Sequence, residues 1–249
     1  MKVLITGASS GIGRDMAKIL HNMGYDLYLV ARRKELLDEL KAELDNKPEI
    51  ITLDLSNAEN CLKLYDDLKD KNIDILINNA GFGVFGEFSL TSLDREIEMI
   101  NLNIRALHIL TKKFLNDFEK RNSGYILNVA SSAAFLPGPL LSSYYASKAY
   151  VLRLTTAIYE ELRRKKSKVY IGALCPGPVD TEFNKVAGVS FNLKSLSSDA
   201  VARYAIKNMF KQKLIIIPGF IMKMGAFWQR LAPTKMLLKI SYNIQKSKG

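Results

Sequence analysis

The sequence predicts an α/β protein: a doubly wound, seven-stranded parallel sheet with helices on both faces. Two patterns carry this expectation. Seven short runs rich in Val, Ile and Leu recur along the chain, most without polar–apolar alternation, as strands buried on both faces require. Longer stretches with helically spaced apolar residues separate them. The 249 residues are 48% hydrophobic and 24% charged, the make-up of an ordinary globular chain rather than a disordered or fibrous one.

In chain order, the expected strands are Val3–Thr6, Leu27–Ala31, Ile50–Leu53, Ile73–Ile77, Tyr125–Val129, Val169–Cys175 and Leu214–Ile217. The expected helices are Arg14–Met23, Lys34–Leu44, Glu59–Lys69, Leu93–Arg121, Ser143–Lys165 and Asp199–Phe210. Gly24 stands where a helix C-terminus favours glycine. Ser197 or Ser198 can cap the helix carrying Ala202, Ala205, Ile206 and Met209. No linker, repeat or low-complexity stretch precedes residue 210, so one domain is expected.

The formal net charge is +11, and the pI is near 9.5. Residues 201–249 hold ten Lys/Arg and no Asp or Glu, which leaves 26 basic and 25 acidic residues in 1–200. The body is therefore nearly neutral, and the excess belongs to one segment. With no zinc finger, helix-turn-helix or RNA-binding aromatic signature, no nucleic-acid partner is expected. Neither Cys61 nor Cys175 has a Cys or His neighbour at ligand spacing, so no metal is expected, and two cysteines cannot make a disulfide scaffold. The longest apolar stretch, Leu214–Met222, is interrupted by Pro218-Gly219 and is well short of the ~20 residues that span a bilayer. Met1–Ile5 leads straight into a glycine turn with no long apolar region, so no signal peptide is read and a cytoplasmic location is expected.

In such a sheet, ligands bind beyond the carboxyl ends of the strands. After the first strand comes Thr6-Gly7-Ala8-Ser9-Ser10-Gly11-Ile12-Gly13, opening the first helix. Glycines there let a pyrophosphate approach a helix N-terminus, whose free amides and dipole favour negative charge. This makes the fold Rossmann-type. The second strand ends Val30-Ala31-Arg32-Arg33-Lys34, with no acidic residue to receive ribose hydroxyls. Arg32 and Arg33 can instead clamp a 2′-phosphate, with Ser9 helping, which points to NADP(H).

Tyr144 and Lys148 are four apart on a helical pattern and share a face. A tyrosine titrates near 10, too high for easy acid–base work, and a neighbouring cation lowers that value. Such a phenol can protonate a carbonyl oxygen as hydride reaches the carbon. Tyr145, three residues from Lys148, is the competing phenol. Ser131 ends the fifth strand and can hold the substrate oxygen near Tyr144.

Together these residues resemble the short-chain dehydrogenase/reductase family, in its compact single-domain branch. The matching motifs are Thr6–Gly13, Asp54-Leu55, Asn78-Asn79-Ala80-Gly81, Asn101, Ser131, Tyr144/Lys148 and Pro176-Gly177-Pro178-Val179-Asp180-Thr181, in the family's order. The resemblance implies that Tyr144 is the catalytic acid/base and that Lys148 lowers its pKa and binds the nicotinamide ribose. Ser131 orients the substrate oxygen. Asn101 supports a proton-relay water, with Asn103 as the weaker alternative. Gly7, Ser9, Ser10, Gly11, Ile12 and Gly13 hold the dinucleotide, with Arg32 and Arg33 on its phosphate. Asp54 and the Leu55 backbone contact the adenine. Asn78, Ala80 and Gly81 line the cofactor, although Asn78 can serve instead to tie strands together. Pro176, Gly177, Val179 and Thr181 embrace the nicotinamide. Cys175 reads as strand packing.

The expected activity is NADPH-dependent reduction of a hydrophobic carbonyl (a ketone, an aldehyde or a 3-oxoacyl-type group) to an alcohol, with reverse oxidation chemically open. A nucleotide-sensing relative without turnover is the alternative. Phe82, Phe85, Phe135 and Phe183 are expected at an apolar substrate wall. The family's habit implies a homodimer or homotetramer. The expected division is a catalytic domain over 1–217 and a basic amphipathic helical extension of it over 218–249. In the extension, Ile221, Met224, Trp228 and Leu231 fall at helical spacing. After Pro233, Lys235, Lys239, Tyr242 and Lys246 share one face and Leu237, Ile240 and Ile244 another. Packing of the apolar faces on the protein is favoured over peripheral contact with an anionic membrane.

Overall fold

The computed structural model describes residues 1–45, 47–182, 196–229 and 232–246. Nine strands and nine helices are described, together with short 3-10 turns and one π-helical stretch. The chain begins with β1 (Lys2–Thr6), α1 (Gly11–Asn22), β2 (Asp26–Ala31), α2 (Lys34–Glu43), β3 (Glu49–Thr52) and α3 (Ala58–Leu68). β4 (Ile75–Asn78), α4 (Leu93–Ile100), α5 (Leu107–Lys120), β5 (Tyr125–Val129), α6 (Ser142–Arg164) and β6 (Tyr170–Leu174) complete the central body. β7 (Val179–Asp180) and β8 (Leu196–Ser197) form a small parallel ladder, followed by α7 (Ser198–Phe210) and β9 (Ile215–Ile216). α8 (Phe220–Trp228) and α9 (Thr234–Lys246) end the described chain.

The main sheet has seven strands in the order β3-β2-β1-β4-β5-β6-β9, every pair parallel. Its inner strands are mostly apolar because both faces are covered. Along β1, Val3 and Ile5 enter the core shared with α1, α2 and α7, while Leu4 points into the core shared with α3 and α5. Ile75 and Ile77 against Leu76 repeat that alternation in β4, as the two-residue period of a strand dictates. Ser197 caps α7 by accepting from the Ala200 amide at 3.3 Å.

The stretch read as one helix over 93–121 is α4 and α5 joined by π-helix over Asn101–Ala106. π turns inside α-helices commonly mark functional sites. The C-terminal segment departs further from the amphipathic reading. On α9 the docked stripe is Leu237, Ser241 and Gln245, with Ser241 and Gln245 buried, whereas Ile240 and Ile244 remain exposed. Ile221, Met224 and Trp228 on α8 are exposed as well. Leu231 lies outside the described residues. Among the described residues, no helix is long and apolar enough to cross a membrane, and no cluster of His, Cys, Asp and Glu could hold a metal ion.

Phe114 is buried between α3 and α5, edge-on to Tyr65 at 5.4 Å and 6.2 Å from Phe118. Phe114→Ala is expected to cost about 3–5 kcal/mol in urea unfolding. Phe88→Ser, on an exposed ring, should stay within about 0.5 kcal/mol.

Candidate active site

The strand order reverses between β1 and β4, and the loops after these two strands meet there. Gly7 has φ +66, and a Cβ on it would lie 2.7 Å from the Ala80 Cα, so only glycine allows this approach. Asn79 locks the two loops by donating from Nδ2 to the carbonyls of Thr6 (3.1 Å) and Gly7 (3.0 Å). Thr6 Oγ1 accepts from the Asn79 and Ala80 amides at 3.0 and 3.1 Å. Above this junction opens a cleft of about 410 Å³. Gly7, Ser9, Ser10, Gly11 and Ile12 line it, as do Leu55, Ala80, Gly81, Pro176, Gly177, Val179 and Thr181. Gly13 sits behind the turn, packed on the Gly7 carbonyl and Asn79.

Arg32 and Arg33 both line the cleft but have different partners. Arg33 Nη2 donates to Ser9 Oγ (3.2 Å) and Ser10 Oγ (2.8 Å), and Arg33 Nη1 pairs with Glu182 at 2.8 Å. Arg32 faces two carboxylates, Glu98 at 2.6 Å and Asp54 at 3.7 Å. The Asp54 carboxylate also accepts from the Ser56 amide and hydroxyl, at 2.9 and 2.8 Å. Asp54 is not among the cleft-lining residues; Leu53, which the sequence reading passed over, is. Asn78 does not line the cleft either. Its Nδ2 donates to Thr111 Oγ1 (3.0 Å) and Asn128 Oδ1 (2.9 Å), which is the strand-tying alternative.

β5 and α6 bring Ser131, Tyr144 and Lys148 to one wall of the cleft. Ser131 Oγ accepts from the Ala133 amide at 3.1 Å, and the hydroxyl bonds the Tyr144 phenol. Burial pushes Tyr144 up to about 12, against the Ser131 bond, which pulls it down. Lys148 lies one helical turn on, its Nζ 5.9 Å from the Tyr144 ring centroid and donating to the Val129 carbonyl at 2.9 Å. Burial pushes that ammonium down to about 8. Burial is the largest influence on both groups, raising the phenol and lowering the ammonium. Burial also pushes the Cys175 thiol up to about 12, which fits an inert packing residue.

The fold turns Asn103, not Asn101, towards these groups. Asn103 is 1% exposed; it holds the Phe82 amide and carbonyl at 3.1 and 2.9 Å and donates to Ser147 Oγ at 3.1 Å. A Cβ on Gly81 would lie 2.8 Å from Asn103 Oδ1 and 3.3 Å from Lys148 Nζ, so the bare glycine lets both crowd the same spot. Asn101 is only half-buried, at the end of α4. The signal was periodicity: Met99, Asn103, Leu107 and Leu110 form one buried stripe, and Asn101 is off it.

Residues 1–189 match the family model described as short chain dehydrogenase. The chain belongs to that family. Human very-long-chain 3-oxoacyl-CoA reductase is 31% identical over 254 residues, covering 98% of this chain and 79% of that protein. A short-chain dehydrogenase from Sphingobium yanoikuyae, solved in complex with NADPH, superposes with a TM-score of 0.84 at 34% identity, covering 92% of this chain and 91% of the other. The bulky-bulky ketone specific alcohol dehydrogenase of Comamonas testosteroni gives a TM-score of 0.80 at 28% identity, covering 92% and 90%.

The substrate end of this short-chain dehydrogenase differs from the sequence expectation. Phe82 lines the cleft, its ring under the Arg95 guanidinium at 4.7 Å. Phe85 packs behind it with Tyr144 and Met99, and Phe135 packs against the Val151 cluster; neither lines the cleft. Phe183 lies outside the described residues. Leu141, Tyr145 and Gln245 complete the wall instead. Gln245 reaches in from α9 and donates to the Tyr145 hydroxyl. Its signal was faint: Ser241 and Gln245, four apart, are an uncharged polar pair on a lysine-rich helix.

Asn103→Ala is expected to lower turnover at least tenfold (about 1.4 kcal/mol), and Asn101→Ala less than twofold. Steady-state rates, with melting temperatures as the folding control, check this.

Proposed function

We propose that this oxidoreductase reduces a hydrophobic carbonyl to an alcohol with NADPH. The observation that carries the reading is one continuous cleft: at one end Ser131 bonds the Tyr144 phenol beside Lys148, and at the other Arg33 gathers the Ser9 and Ser10 hydroxyls. The residues suit a dinucleotide. Ser10 makes no side-chain cap on α1, giving its oxygen to Arg33 instead, and the glycine turn and the start of α1 line the cleft. Gly7–Ile12, Ala80, Gly81 and Pro176–Thr181 would hold the pyrophosphate and nicotinamide, and Leu53 and Leu55 the adenine side. Arg33, Ser9 and Ser10 would take a 2′-phosphate in the place where Glu182 now meets Arg33. Bound NADPH supplies the hydride.

The chain's own residues then handle the oxygen. Ser131 holds the carbonyl oxygen by hydrogen bond. Tyr144, protonated at neutral pH as any phenol is and held so further by burial, donates its proton to that oxygen as negative charge develops. Lys148 stabilises the phenolate left behind, and Asn103 fixes Phe82 and the start of α6 around it. The mostly apolar lining excludes water and suits an acyl or bulky ketone substrate, in keeping with the similarity to the human 3-oxoacyl-CoA reductase and the Comamonas bulky-bulky ketone specific alcohol dehydrogenase.

A screen of 3-oxoacyl thioesters and bulky ketones, followed by NADPH absorbance, tests the reading. Turnover should fall at least about a thousandfold in Tyr144→Phe while NADPH binding survives. Arg33→Ser should cut the preference for NADPH over NADH at least tenfold (about 1.4 kcal/mol). No turnover on any carbonyl, with NADPH still bound, would indicate the sensing alternative.

The pH dependence follows from the two shifts. Lys148 loses its charge as pH rises through about 8, well before Tyr144 loses its proton near 12. Reductive kcat is thus expected to hold below that first value and to decline above it with a single-proton slope. An undiminished rate well above pH 9 would contradict it.

A further inference from the structure

Five large apolar side chains crowd one face of α8: Phe220, Ile221, Met224, Phe227 and Trp228. Their spacing (i, i+1, i+4, i+7, i+8) gives a stripe about 120° wide. In most surface helices that stripe faces the core. Here it faces outward: Phe220 is 74% exposed, Ile221 83%, and Phe227 and Trp228 59% each. The opposite face is the docked one. Ala226 is buried there, and Met222 lies over Gly177 at the rim of the cleft. α9 also carries exposed apolar side chains, Met236, Leu238 and Ile240, while Gln245 lines the cleft. An exposed apolar stripe like that on α8 marks an interaction surface.

Charge identifies the partner. Residues 201–249 carry ten cations and no acidic residue. Lys235, Lys239 and Lys246 are exposed on α9, without carboxylate partners among the described residues. A two-fold contact with a second copy through this face would set these cations against their own images with no acid between them. An anionic bilayer satisfies both features at once: apolar side chains, including the lone tryptophan, enter the acyl boundary, and lysines meet the headgroups.

We propose that α8 and α9 dock this protein on an anionic lipid surface, with the mouth of the substrate cleft held against the bilayer. Docking stands apart from the reaction above; only the corollary, that a hydrophobic substrate enters from the lipid, rests on it.

Trp228 is the only tryptophan in the chain, so its emission reports on this face alone. The full chain is mixed with phosphatidylcholine vesicles, with or without one-third phosphatidylglycerol, and fluorescence and co-sedimentation are read. The expected result is a blue shift and pelleting with the anionic vesicles only, reversed by high salt. Ile221→Ser/Phe227→Ser, which keeps the reporter, and Lys235→Glu/Lys239→Glu should each weaken partitioning at least about tenfold at an unchanged melting temperature. Turnover of a short soluble substrate should be unaffected, which separates loss of docking from failure of the catalytic reading. No shift with anionic vesicles overturns the proposal, as does equal binding to uncharged ones. A lipid-free, concentration-dependent shift with sedimentation as a dimer also overturns it, because a second copy then occupies the face.

Discussion

A run of buried side-chain hydrogen bonds fixes the helix bearing Tyr144 on the sheet. Asn78 on β4 donates to Asn128 on β5 and to Thr111 on α5; Asn128 Nδ2 donates to Thr155 Oγ1 on α6 at 3.0 Å; and Thr155 donates to the Val151 carbonyl. All four side chains are at most 3% exposed. Leaving one such group without its partner costs about 1–3 kcal/mol, so the run holds four elements in a single register. Tyr144 and Lys148 ride on the first two turns of that helix, and Ser131 follows the strand holding Asn128. The relation of Ser131 to Tyr144 is thus set below the cleft, by residues that never line it.

On that frame, one physical effect acts on two groups in opposite senses. Burial penalises charge, so it holds Tyr144 neutral and draws Lys148 towards neutrality. The phenol keeps a proton to give, and the ammonium sits where a modest change of surroundings alters its charge. The Arg33 end of the cleft is the reverse case: a solvent-exposed guanidinium keeps its charge, held by two neutral hydroxyls and balanced by the single Glu182 carboxylate.

The sheet was legible because both of its faces are buried, which leaves Val3–Ile5, Leu27–Val30 and Ile75–Ile77 without polar interruptions. The joint placement of Ser131, Tyr144 and Lys148 at the cleft followed from strand ends and the four-residue helix spacing. Asn103 was ranked below Asn101 because the residues flanking Asn101 were weighed above the periodicity that buries Asn103 with Met99 and Leu107. Arg32 lines the cleft as read, where it also pairs with Glu98 and Asp54, and Asp54, read as an adenine contact, lies off the cleft wall. In the C-terminal helices the usual inference, apolar side inward, fails: Ser241 and Gln245 are buried while Ile240 and Trp228 are exposed. Amphipathicity gives the faces of a helix, not which one meets water.

The donation of Gln245 to Tyr145 has a consequence for how such a protein changes over time. Ser131, Tyr144 and Lys148 come from the end of β5 and from α6, whereas part of the cleft wall comes from a helix a hundred residues later in the chain. Mutations confined to α9 can therefore remodel what the cleft admits without touching the buried asparagine–threonine run or the groups it positions. One patch of the cleft wall thus lies on a separate stretch of the gene from Ser131, Tyr144 and Lys148, free to diversify at its own rate.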